Sequence, residues 1–106
     1  AQLKVPTNRI NYIMQKLQTH CDEIALQDGW DLYYKNDVMN LKLVDGLTLR
    51  ADLRRSQKKK PYEVSIRLDD FNKSSCTCEE TCCQHIVAIF FTLYAVHSRP
   101  ELVLRQ

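Results

Sequence analysis

Apolar residues at Ile10, Ile13, Met14 and Leu17 recur at i, i+3, i+4 and i+7, the spacing that gathers side chains on one face of an α-helix. Thr7 or Asn8 can cap the start of this helix, and Pro6 holds Val5 extended ahead of it. Cys21 continues the stripe and reads as a small buried hydrophobe with no obvious bonding partner. A second helix is predicted over 22–35, through Ile24, Leu26, Trp30, Tyr33 and Tyr34, with Trp30 and one tyrosine expected in the core. Asn36-Asp37 suits the helix exit, since short polar residues tolerate left-handed backbone. From Val38 the period falls to two. Met39, Leu41 and Leu43 alternate with Val38, Asn40 and Lys42, and Asp45-Gly46 then supplies the positive φ angles of a tight hairpin turn. Leu47, Leu49, Ala51 and Leu53 alternate with Thr48, Arg50, Asp52 and Arg54, and Tyr62, Val64, Ile66 and Leu68 repeat the pattern. A final helix over about 83–97 is apolar nearly all round, so it must be buried on most sides and is the natural cover for the sheet. Arg99-Pro100 ends it. The predicted fold class is therefore α+β: two N-terminal helices, a three-stranded antiparallel meander, and a buried C-terminal helix.

A length of 106 residues implies one domain, 1–106, with a single modest core. The composition is that of a globular chain, and no apolar run approaches the roughly 18 residues a membrane helix needs. The chain begins at Ala1 without a Met or a signal peptide, which points to a piece excised from a larger protein. A net charge of +2 does not by itself imply nucleic acid, but the charge is unevenly placed. The segment 54–60 carries Arg54, Arg55, Lys58, Lys59 and Lys60 and no acid. As a loop between two strands it would suit phosphate contacts, with Arg50 and Arg67 on the wet sheet face extending the patch. Asp69 and Asp70 read as turn residues. No Ser/His/Asp set, catalytic carboxylate pair, Gly-rich phosphate loop or helicase motor motif is present, so an enzyme with a small-molecule substrate is not expected.

Cys76-Thr77-Cys78 is followed, after four residues, by Cys83-Gln84-His85 at the start of the last helix. Two tight pairs of soft donors can close a tetrahedron around one Zn2+. Cys82 could replace Cys83 as the third thiolate, giving a C-x-x-H pair in place of C-x-H. Three thiolates and one neutral imidazole leave no open position, so the site is structural. An odd count of five cysteines, four of them clustered, argues for metal in a reducing compartment, the cytoplasm, over a disulfide framework. His97 lies roughly 18 Å along the helix from His85 and cannot share the ion.

The pattern C-x-C…C-x-H leading into a hydrophobic helix resembles the SWIM zinc finger, here over 74–95, a family met in bacterial Swi/Snf-type helicase-like proteins. The resemblance implies Cys76, Cys78, Cys83 and His85 as the zinc ligands. Gln84 stands where bacterial members often carry Lys, and the gap between the pairs is short for the family. Gly29-Trp30-x-x-Tyr33-Tyr34 is similar to a segment upstream of the finger in those bacterial proteins. What the family implies is a non-catalytic module that binds nucleic acid, DNA above all, or positions an attached helicase-like ATPase on it. Zinc-stabilised docking of another protein is the alternative.

Overall fold

Helices and strands form where the apolar spacing requires, and one buried cluster joins them. The computed structural model of the chain describes residues 4–35, 37–55, 59–79 and 83–98. The first helix, α1 (Thr7–His20), buries Ile10, Ile13 and Leu17. Its start is set by Pro6 rather than by a polar cap: the N–H groups of Arg9 and Ile10 donate to the Pro6 carbonyl at 3.0 and 3.2 Å, with no side-chain cap bond. Proline's fixed φ pre-forms the turn, so Thr7 sits inside the helix instead of capping it. Cys21 is buried as its stripe position demands, but it is disulfide-bonded and not the lone hydrophobe expected.

The second helix, α2 (Glu23–Tyr34), opens at Asp22, whose Oδ1 accepts from the Ala25 N–H at 2.7 Å. It packs through Gly29 against the last helix, α3 (Gln84–Ser98). A β-carbon on Gly29 would stand 2.4 Å from Val87 Cγ1, so only glycine permits this approach. That contact turns the other side of α2 outward. Trp30, expected in the core, is 46% exposed, and Ile24 and Tyr34 are 72% and 78% exposed. Trp30 and Tyr33 instead meet Phe91 of α3 at the edge of the core.

Among the described residues the sheet has four strands, not three: β1 (Val38–Val44), β2 (Thr48–Leu53), β3 (Tyr62–Arg67) and β4 (Ser75–Cys76), in that order and all antiparallel. The added strand is two residues long, too short for any period to announce it. The Asp45-Gly46 turn is as expected, with φ of 56° and 70° and the Leu47 N–H donating to the Val44 carbonyl at 3.2 Å. The phase of β1 is not. Between Met39↔Asp52 and Lys42↔Arg50 the strand carries one residue more than β2, a bulge with Asn40 at φ 58°. The extra residue reverses the alternation on its N-terminal side. Val38 therefore pairs with buried Leu53 and packs on the core with Leu41 and Leu43, while Met39 pairs with Asp52 on the outer face. In β2 and β3 the inward sets are as predicted: Leu49, Ala51, Leu53, Val64 and Ile66. An unbroken buried run from Ile86 to Phe90, with Leu93 and Val96, lays α3 across all four strands. Among the described residues no helix is long and apolar enough to cross a membrane.

Candidate metal centre

Strand pairing delivers the first two donors. Cys76 faces Val64 across β3–β4, and the next residue extends the ladder: the Thr77 N–H donates to the Glu63 carbonyl, while the Glu63 N–H donates to Thr77 Oγ1, both at 3.1 Å. The chain then turns back. The Glu79 N–H donates to the Cys76 carbonyl at 2.9 Å, with Glu79 in the left-handed region at φ 67°, so Cys78 returns towards Cys76. The second pair comes from α3. Cys83 immediately precedes its first residue and His85 lies in its first turn, with the Val87 N–H donating to the Cys83 carbonyl at 3.3 Å. The ligand atoms of Cys76, Cys78, Cys83 and His85 all lie within 4.8 Å of one another, and every one but Cys78 is buried.

The donor set fits zinc. Zn–S near 2.3 Å and Zn–N near 2.0 Å place tetrahedral S and N donors about 3.6 Å apart. Cys76 Sγ and His85 Nδ1 are separated by 3.5 Å. The Cys83 thiol is pulled down to about 4, first by the hydrogen bond from Cys76, against the cost of burial, and then by His85, the Ile86 backbone N–H at the helix start and Cys78. The same bond, together with burial, pushes the Cys76 thiol far above its ordinary value. The cluster thus keeps a thiolate at the helix N-terminus, where the dipole favours it. Cys76, Cys78, Cys83 and His85 would hold one structural Zn2+, which supplies cross-linking and not reactivity. Cys82, the alternative third thiolate, lies outside the described residues. His97 is remote, its Nε2 3.4 Å from Thr7 Oγ1.

The expected nucleic-acid residues divide into groups. Arg54, Lys59 and Lys60 are exposed at the end of the sheet where β2 leaves and β3 begins, and Arg55 is half-buried beside them. Lys58 lies outside the described residues. Arg50 is exposed in the middle of the outer sheet face, with Asp52 and Glu63 paired across the neighbouring register. Arg67 sits at the opposite end of β3, about 17 Å from its start at the rise of a strand. Its Nε and Nη2 donate to the two Asp69 carboxylate oxygens at 2.8 and 2.9 Å. That hydrogen bond raises the Arg67 pKa and lowers that of Asp69. Arg67 is thus spent on a local acid and does not join the loop.

One residue at the centre, Tyr62, escaped the sequence reading, as did its contact with Arg55. The Tyr62 ring lies 4.0 Å from the His85 imidazole, centroid to centroid, at 31°. Arg55 Cζ lies 4.2 Å from the centroid of that same ring. In sequence Tyr62 is only one inward position of a strand, and nothing local marks its neighbour on α3.

Residues 62–94 match the family model of the SWIM zinc finger. That span runs from the tyrosine against His85, through all four donors, to the apolar helix that follows them. No curated protein and no solved structure matches the chain. The matched segment is a zinc-binding module, and the resemblance read from C-x-C…C-x-H holds for it.

Proposed function

We propose that this chain is a non-catalytic, zinc-stabilised module that binds the backbone of DNA through the 54–60 loop, and that it can position an attached helicase-like ATPase there. The observation that carries the reading is the placing of Arg54, Arg55, Lys59 and Lys60 together at the sheet end next to the metal centre. Cations clustered on an otherwise near-neutral chain release counterions from phosphates, and such binding is largely blind to sequence and steeply salt-dependent. Arg50 extends the contact along the outer face; Arg67, neutralised by Asp69, contributes least. Fluorescence anisotropy of the zinc-loaded protein with a short labelled duplex, at several salt concentrations, tests this. Replacing Arg54, Lys59 and Lys60 by Glu is expected to weaken binding and to flatten the salt dependence by about one unit of log–log slope per lost contact. Equal binding by the variant would refute the reading.

A second reading, docking of a protein partner, draws on a different surface. Ile24, Trp30 and Tyr34 are exposed on α2, whose charged residues, Glu23, Asp28 and Asp31, are all acidic. Such a face repels nucleic acid and suits a partner with apolar and basic residues. Zinc-dependent capture of a partner that survives the loop changes but is lost on Trp30→Ala with Tyr34→Ala would favour it.

A further inference from the structure

We infer that Tyr62 is a positioning residue that ties the basic loop to the metal centre, so that metal binding fixes where the loop's first arginines stand. This rests on the zinc reading of the four-residue cluster and extends the proposed function to its regulation. The observation is a three-layer stack of His85, Tyr62 and Arg55. Imidazole and guanidinium stand 4.0 and 4.2 Å from the same phenol centroid. Two planar groups cannot both come that close on one side of a ring, so the phenol is held between them. Each layer belongs to a different part of the chain. His85 lies in the first turn of α3, Tyr62 opens β3, and Arg55 stands two residues beyond the end of β2.

The stack works in both directions. An imidazole must present one ring plane to a metal, yet rotation about its χ2 is soft unless something packs on its face. Tyr62 supplies that face, while Cys76 Sγ meets Nδ1 at 3.5 Å. A bound ion would fix His85, and a fixed His85 gives the phenol a rigid floor. The guanidinium then has a defined ring to sit on, with attraction to its negative face. Three thiolates around a divalent ion leave a net negative charge below the stack, which also favours the cation above it. Arg54 is anchored independently, its N–H donating to the Asp37 carbonyl at 2.9 Å. The loop therefore enters from two fixed points, one of which depends on the metal.

Limited trypsin digestion, with each cut identified by mass, tests this without nucleic acid. The bonds after Arg54, Arg55 and Lys59 report the loop, and the bond after Arg50, in mid-strand, reports global opening. In the wild type and in Tyr62→Phe, one equivalent of zinc is expected to slow loop cleavage relative to chelated protein. In Tyr62→Ala loop cleavage should be fast with or without zinc, and zinc affinity, read by competition with a chromophoric chelator, should fall about 10- to 100-fold. Arg55→Gln leaves the core intact and should keep wild-type zinc affinity while losing protection after Arg54. Zinc protection of the loop that is equal in wild type, Tyr62→Ala and Arg55→Gln would overturn the inference. So would unchanged zinc affinity in Tyr62→Ala. Failure of DNA binding would leave these outcomes untouched, so the two proposals fall separately.

Discussion

Gly29 shows how a single absent side chain sets a helix pair. Its missing β-carbon is what lets α2 approach Val87 and the Gln84 carbonyl of α3. Gly29→Ala gains about 1 kcal/mol of helix propensity but forces an overpacked contact worth about 1–3 kcal/mol. The expected outcome is a net loss of stability, seen as a melting temperature lower by several degrees, and partial rescue by Val87→Ala, which vacates the space. Additive single and double variants would show that the contact is not limiting. The sequence offered no reason for this glycine beyond a likeness to related segments, because its partner lies on a distant helix. The metal donors are the opposite case. Spacings of one residue within each pair carry their own geometry, so a cluster of Cys76, Cys78, His85 and a third thiolate was legible before any fold was known, and the family resemblance chose Cys83 over Cys82. Native mass spectrometry is expected to find one zinc on the wild type and none on Cys83→Ser. Retention of that zinc would move the third thiolate elsewhere. Tyr62 was legible only as a strand residue, since stacking on His85 is a fact of tertiary structure.

At the scale of elements, local periodicity succeeded wherever one unbroken face decides the structure. The stripe of α1, the alternation of β2 and β3, and the apolar girdle of α3 each required its observed burial. It failed where one residue changes the phase. Nothing in the run Val38 to Val44 distinguishes a regular strand from a bulged one, and only the left-handed tolerance of Asn40 hints at the break. Asn40 also ties the bulge to β2, its Nδ2 donating to Asp52 Oδ2 at 2.8 Å. Asn40→Val would force a β-branched side chain into left-handed backbone, at a cost of about 1–2 kcal/mol. Asn40→Gly would relieve the backbone while losing one exposed hydrogen bond, so it should change stability much less. Urea unfolding of the two variants checks this. Equal, small effects would mean that β1 slips to a regular register when the bulge is removed. The two residues of β4 were illegible for another reason: a strand of two residues shows no period, and its pairing of Cys76 with Val64 is a fact of tertiary structure.

In the whole molecule, one core runs from Ile10 on α1 through the sheet to Leu93 on α3, and it includes Cys76 and Cys83 themselves. The metal centre is thus set into the edge of that core rather than hung from it. Structural zinc in isolated fingers is worth about 10–16 kcal/mol of apparent binding energy, against about 5–15 kcal/mol for the net stability of a domain. If the ion carried the whole fold, chelation would unfold everything. The apolar burial argues for a narrower result. Ile89, Phe90 and Leu93 stay packed in the core through contacts that involve no donor atom, whereas the Cys78 turn and the start of α3 at Cys83 and His85 carry the donors themselves, and β4 adds a ladder of only two residue pairs. Hydrogen exchange after chelation is therefore expected to speed up at 75–79 and at 84–87, with protection retained over 10–17, 49–53 and 89–93. Unchanged protection at 75–79 would mean that strand pairing and the Glu79 turn hold that segment without metal. Loss at 49–53 as well would mean that the ion supports the entire core. The retained sheet would also separate two roles: a metal-free protein with β2 and β3 intact still presents the charges of Arg54, Lys59 and Lys60. Any DNA affinity it loses on chelation then measures the placing of the loop, and not its charge.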